Sequence, residues 1–222
     1  MAVLTDFDLD QLYNRLKIPV TVLRWALHAG LVPPADLPSD RWSRPVVEAL
    51  DRQALLDAVP GGAITGGAAA DRIAAALGTP NVPGERKCVT TFTVRRLIAL
   101  GLLTELSASD KGSLVNPAQV AQVCTRADLA QLAAAESPLG PEQAAARLGI
   151  RRVDFDHLVR LRLVAPAEYV EVEFGRSRAG AVEVPLYRTA SIDALPAAHP
   201  EVDFEALRGL GKGKRSPLAA LI

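Results

Sequence analysis

The sequence predicts a mainly α-helical chain of three tandem units, each a pair of helices, a small β-hairpin wing and a closing helix. Three observations lead there. Aromatic residues are only 5% of the 222, and Ala, Leu and Val supply most of the 49% hydrophobic content, which favours helices over large sheets. An apolar i, i+4, i+8 row occurs three times: Leu23, Leu27 and Leu31; Val94, Ile98 and Leu102; Phe155, Val159 and Leu163. What surrounds each row repeats as well.

Ahead of each row runs a short amphipathic helix, LDQLYNRLKI (9–18), AAADRIAAALGT (68–79) and PEQAAARLGI (141–150). Ile18 to Leu23 is five residues, as is Ile150 to Phe155, whereas Thr79 to Val94 is fifteen. The middle unit therefore carries a ten-residue insertion, PNVPGERKCV (80–89), whose Pro and Gly mark it as loop, with Arg86 and Lys87 as an extra cationic pair. Pro19 presets the start of the second helix in the first unit. Gly30 and Gly101 suit left-handed C-caps, while Arg162 in the third copy predicts a different exit. Behind the rows come RWSRPVVEALDRQALL (41–56), LVNPAQVAQVC (114–124) and LYRTASIDAL (186–195), each with a further helix. In the third unit the wing is explicit. EYVEVEF (168–174) alternates strictly, GRSRAG turns the chain, and AVEVPLY (181–187) returns antiparallel.

This order is a winged helix-turn-helix pattern. The expected units are 1–59, 60–124 with its inserted loop 80–89, and 138–198. Residues 59–67 read as a flexible Gly-rich joint, 125–137 as a linker helix, and 199–222 as a basic, Gly-containing C-terminal tail with Lys212, Lys214 and Arg215.

The first unit resembles the DNA-binding module of the MerR and phage-excisionase families over about residues 9–57. Leu23, Arg24, Trp25, Gly30, Leu31, Pro33, Arg41, Trp42 and Ser43 carry the likeness. The resemblance implies that Arg24 and the wing arginine Arg41 contact the phosphate backbone. The second unit keeps Arg95 in the arginine slot and has Arg96 in the aromatic slot. The third has Asp156 and His157 there, with Arg151, Arg152 and Arg160 nearby. No long coiled coil or effector segment of the usual MerR type follows any unit.

On a helix preset by Pro19, Thr21, Arg24, Trp25 and His28 form one stripe opposite Leu23 and Leu27. Thr21 can read bases, and Arg24 can hold phosphate or bind guanine. The expected DNA-facing set is Thr21, Arg24, Trp25, His28, Arg41, Arg44, Thr91, Arg95, Arg96, Arg151, Arg152 and Arg160, with Arg176 and Arg178 at the third wing tip. The competing roles are plain. The arginines can line a solvated face, and Trp25 and Trp42 can pack helix against wing. Glu171, Glu173 and Glu183 share the hairpin with the tip arginines.

Charge and motifs bound the function. Lys and Arg number 25, as do Asp and Glu, so the chain is no histone-like coat, and DNA binding requires charge segregated onto one face. Cys88 and Cys124 give neither a disulfide framework nor a zinc spacing. GLGKGKRS misses the phosphate-loop spacing, and no metalloprotease or nucleophile-elbow motif occurs. The expectation is a non-enzymatic, cofactor-free, sequence-specific binder of double-stranded DNA: a transcription regulator, an excisionase-like factor, or an origin- or centromere-binding protein of a mobile element. The alternative is a winged-helix adaptor that binds other proteins, and self-association is compatible with either. MAVLTDFDLD lacks the pattern of a signal peptide and no apolar run is long enough to span a bilayer. The expected location is therefore cytoplasmic, at the nucleoid, without a membrane partner.

Overall fold

The computed structural model describes residues 5–59, 61–84, 87–107, 112–173, 181–211 and 213–221. About half of the chain is helical, with twelve α-helices and three small antiparallel sheets among the described residues. The chain divides into two compact units, Met1–Leu129 and Ala130–Ile222.

The first unit opens with β1 (Asp6–Phe7), α1 (Leu9–Leu16), α2 (Val20–His28), β2 (Trp42–Ser43), α3 (Arg44–Glu48) and α4 (Arg52–Asp57). It continues with β3 (Ile64–Thr65), α5 (Gly66–Ala76), α6 (Thr91–Ala99), β4 (Leu114–Val115) and α7 (Pro117–Cys124), and α8 (Leu129–Ala135) begins at its boundary. The second unit contains β5 (Pro138–Leu139), α9 (Pro141–Leu148), α10 (Arg152–Arg160), β6 (Glu168–Glu173), β7 (Ala181–Arg188), α11 (Thr189–Ala198), α12 (Phe204–Arg208) and a 3-10 turn at Pro217–Ala220.

One order of elements thus recurs three times: a two-residue strand, two helices, a strand paired antiparallel to the first, and a helix. Phe7 pairs with Trp42, Thr65 with Leu114, and Leu139 with Tyr187. Each pairing ties the entry of its helix pair to the start of its closing helix. The helix starts are locally encoded. Asp8 and Gln11 form a capping box on α1, and Thr65 Oγ1 accepts from the Ala68 N–H at 3.2 Å on α5. Pro141 occupies the first turn of α9, where Gln143 accepts from the Gly140 N–H at 3.0 Å.

The flexible joint expected at 59–67 is a correction. Ile64 and Thr65 are strand, and Gly66 is a buried residue of α5 whose N–H donates to the Ser113 carbonyl at 2.8 Å. The exit of α10 is a second correction. Gly30 and Gly101 take φ of 70° and 72°, and Arg162 takes the same left-handed conformation at 59°. In all three copies the next N–H reaches back to the helix: Leu31 to the Ala26 carbonyl (2.8 Å), Leu102 to Leu97 (2.9 Å) and Leu163 to Leu158 (3.0 Å). This turn breaks the helical phase. The following residue therefore takes the buried position, Val32, Leu103 and Val164, while the i+8 residue is 49% exposed at Leu31 and half-buried at Leu102 and Leu163.

The wings differ from the expectation of one hairpin per unit. Among the described residues, only β6 and β7 form a hairpin, with six residue pairs from Glu168↔Leu186 to Glu173↔Ala181. The first copy has a single bridge between Leu37 and Arg41. In the second, the Leu106 N–H closes onto the Leu114 carbonyl at 2.8 Å. The tail is a third correction. Val202, Phe204, Leu207 and Leu218 are buried in one core with Phe155, Leu158, Tyr187 and Ile192, where the Phe155 and Tyr187 rings meet edge-on at 5.0 Å.

The described part of the insertion holds no helix or strand, yet it is anchored. Asn81 Nδ2 donates to Asp71 Oδ1 and to the Val89 carbonyl, both at 2.9 Å, and Asn81 Oδ1 accepts from the Cys88 N–H at 2.9 Å. Val89 is buried, so the insertion's last residue belongs to the core.

Candidate nucleic-acid interface

Helix α2 buries Val22, Leu23 and Ala26, which leaves Thr21, Arg24 and Trp25 half-buried and His28 exposed. Arg24 is committed within its unit. Its Nη1 donates to the Ser107 carbonyl at 2.6 Å, and its buried Nε has no partner. Trp25 packs against the core that contains Trp42, with its ring 5.4 Å from that of His28. Trp42 is buried, and its Nε1 donates to the Pro33 carbonyl at 2.8 Å. Both tryptophans thus serve helix packing.

The two arginines beside β2 are also engaged. Arg41 pairs with Asp6, donates to Gln11 Oε1 at 3.0 Å and lies 3.4 Å from Asp8, gathering the start of α1 onto the strand pair. Arg44 pairs with Glu48 at 2.6 Å, one helical turn on, with both side chains partly exposed. Such surface pairs contribute about 0–1 kcal/mol and exchange easily for another anion. Asp36 caps the approach to α3 by accepting from the Ser43 N–H at 2.8 Å, and Ser43's hydrogen bonding holds its carboxyl below the usual range.

Helix α10 carries two ion-pair sets. Arg151, its N-cap, grips Asp154 with two bonds of 2.6 and 2.9 Å and donates to the carbonyls of Gly211 (3.0 Å) and Lys214 (2.8 Å). Asp154 is fully buried. Burial pushes its carboxyl up, but the Arg151 bonds and charge outweigh that and leave it below the ordinary aspartate value. Arg152 pairs with Asp156 at 2.9 Å and with Glu142 at 3.2 Å, so the carboxylate in the arginine slot is neutralised from its own helix. The Arg160 side chain is exposed and makes no ion pair or hydrogen bond among the described residues. Arg176 and Arg178 lie outside the described residues.

Helix α6 is where expected residues converge. Thr91, exposed in its first turn, and Arg95, one turn on, line a cleft of about 500 Å³ with Thr65, Gly66, Gly67, Ser107 and Ser113. The N-terminus of α5 opens into this cleft, as does the first turn of α6. Helix starts carry partial positive charge, to which Arg95 adds a full one; the first turn of α6 has no side-chain cap, whereas Gly66 and Ala68 at the α5 start already donate to Ser113 and Thr65. The combination suits an oxyanion such as a backbone phosphate. Sequence reasoning found Thr91 and Arg95 but read Thr65–Gly67 as joint. The available signal was Thr65 standing just before an Ala-rich helical run, a cap position. Arg96 is half-buried beside them on the same helix.

Among the described residues no three His, Cys, Asp or Glu gather as a metal site, and no helix is long and apolar enough to cross a membrane. Cys88 is exposed, and burial pushes the Cys124 thiol up, away from the reactive thiolate form. Comparison with family models, curated proteins and solved structures finds no match for the chain.

Proposed function

We propose that the chain binds double-stranded DNA sequence-specifically through three tandem winged helix-turn-helix units, in the role of a regulator or an architectural factor of a mobile element. The observation that carries this reading is the α6 cleft. Arg95, which holds the repeated arginine slot, and Thr91, one turn before it, share one recess with the start of α5. There a phosphate meets a guanidinium, hydroxyls and a helix N-terminus together. Helix α6 then lies against the duplex, with Arg96 beside the contact and base reading by its first turn. Helix α10 contributes Arg160, and α2 contributes Thr21 and His28. Arg24, Arg41 and Arg151 act as internal struts in this scheme rather than as phosphate ligands.

The test is selection from a random duplex pool, followed by titration of the winning site over a salt series. A shared motif and a log-affinity that falls linearly with log salt support the proposal. A second reading draws on the same struts. Because most expected DNA-facing arginines already hold intramolecular partners and the net charge is zero, a protein-binding adaptor is the outcome if no duplex is enriched.

A further inference from the structure

The C-terminal segment, expected to be a tail, builds one wall of a second cleft. Leu161 and Leu163, just after α10, face Val202, Leu207, Pro217, Leu218 and Leu221 across a space of about 350 Å³. Val202, Leu207 and Leu218 are buried and floor the cleft, while Leu221 stands 68% exposed at the opening. The polar lining is Glu201 and Asp203. Glu201 pairs with His199 at 3.0 Å, and Asp203 accepts from the Ala206 N–H at 2.8 Å as the cap of α12. Neither forms an ion pair with a Lys or Arg among the described residues. The cleft is thus apolar at its base and anionic on one side.

We propose that this cleft binds a small organic cation: a compact aliphatic body seated on the leucines, with an ammonium group directed at Glu201 and Asp203. A volume of about 350 Å³ lies at the lower end of the ~300–1,000 Å³ usual for small-molecule sites, so the ligand is compact. An anion of the same shape is excluded, because it would lie against two carboxylates. The site is placed to act on α10. The segment that walls it also supplies the Gly211 and Lys214 carbonyls to Arg151 at the helix N-cap, and Leu161 and Leu163 follow the helix C-terminus. Occupancy would therefore brace α10 at both ends, whether or not the chain binds DNA.

The experiment uses n-hexylammonium, 1-hexanol and hexanoate as matched probes on the full chain, read by amide chemical shifts. The cation is expected to move resonances of residues 161–163, 201–207 and 217–221, the alcohol to bind more weakly there, and hexanoate not at all. The double variant Glu201→Gln/Asp203→Asn keeps the α12 cap and should weaken hexylammonium about three- to tenfold while leaving hexanol unchanged. Leu221→Trp, at an exposed position, should fill the opening and abolish binding of both with an unchanged thermal transition. The proposal is overturned if the three probes bind alike, if hexylammonium shifts other residues or none, or if Leu221→Trp leaves its binding intact.

Discussion

Replacing Arg162 by glycine should make the second unit more stable, although it deletes a whole side chain. Arg162 holds φ of 59° at the exit of α10, where the other two copies have Gly30 and Gly101. A residue with a Cβ is strained in this conformation by about 1–2 kcal/mol relative to glycine. Glycine's greater freedom in the unfolded chain takes back roughly half of that gain, at about 0.4–1 kcal/mol. The Arg162 side chain is exposed and makes no hydrogen bond or ion pair among the described residues, so little else is lost. The net stabilisation expected for Arg162→Gly is about 0.5–1 kcal/mol. The mirror experiment is Gly101→Ala. A Cβ there meets nothing within 4 Å, so its cost is purely conformational, about 1 kcal/mol. Urea denaturation separates the two effects. Trp25 and Trp42, the only tryptophans, lie in the first unit and report its transition, while circular dichroism follows the whole chain. Arg162→Gly should raise the midpoint of the circular-dichroism transition that tryptophan fluorescence does not see, with an unchanged slope. A lowered midpoint would refute the left-handed exit as a shared device of the three copies.

The helix pairs of the three copies and the β6–β7 hairpin were legible because periodicity of 3.6 or 2 over six or more residues overrides local noise, whereas the five-residue α12 inside the expected tail was not. The strands β1, β3 and β5 were not, since two residues carry no period, and Ile64–Thr65 sat inside a Gly-rich run. The glycine in the first two exits was readable, but the same backbone in Arg162 was not, because tertiary packing imposes it against propensity. The site was half legible. Arg95 was marked by its slot, whereas the partner of Arg24 is a backbone carbonyl 83 residues away, which no spacing rule anticipates. The grip of Arg151 on the Gly211 and Lys214 carbonyls was hidden in the same way, and with it the role of the tail.

Three further outcomes are expected. Asp154→Asn should cost about 2 kcal/mol at neutral pH, because Arg151 loses its buried carboxylate. Since the folded-state pKa of Asp154 is lowered, its contribution is present above the unfolded value near 3.9 and vanishes as pH falls through the folded value. The variant and parent stabilities, measured by denaturation from pH 6 downward, should therefore converge in acid, and a constant gap would contradict the linkage. Val89→Ala should destabilise the first unit by about 2 kcal/mol, and deleting 80–89 should abolish its cooperative transition, whereas deleting 82–87 alone should not. Hydrogen exchange should protect the paired residues of β6 and β7, and rapid exchange throughout 168–173 and 181–187 would exclude the hairpin.

The central claim is that the chain grips DNA through the α6 cleft, and Arg95 tests it most directly. Fluorescence anisotropy on the selected duplex, run over a salt series, gives the slope of log-affinity against log salt for the parent, Arg95→Ala and Arg24→Ala. Losing one phosphate contact in Arg95→Ala should weaken binding and flatten the slope by about 1. Arg24→Ala removes an internal strut, so it should lower the thermal transition of the first unit and leave the slope unchanged. If Arg95→Ala stays folded and keeps the parent slope, α6 does not hold the backbone, and the DNA-binding account is contradicted.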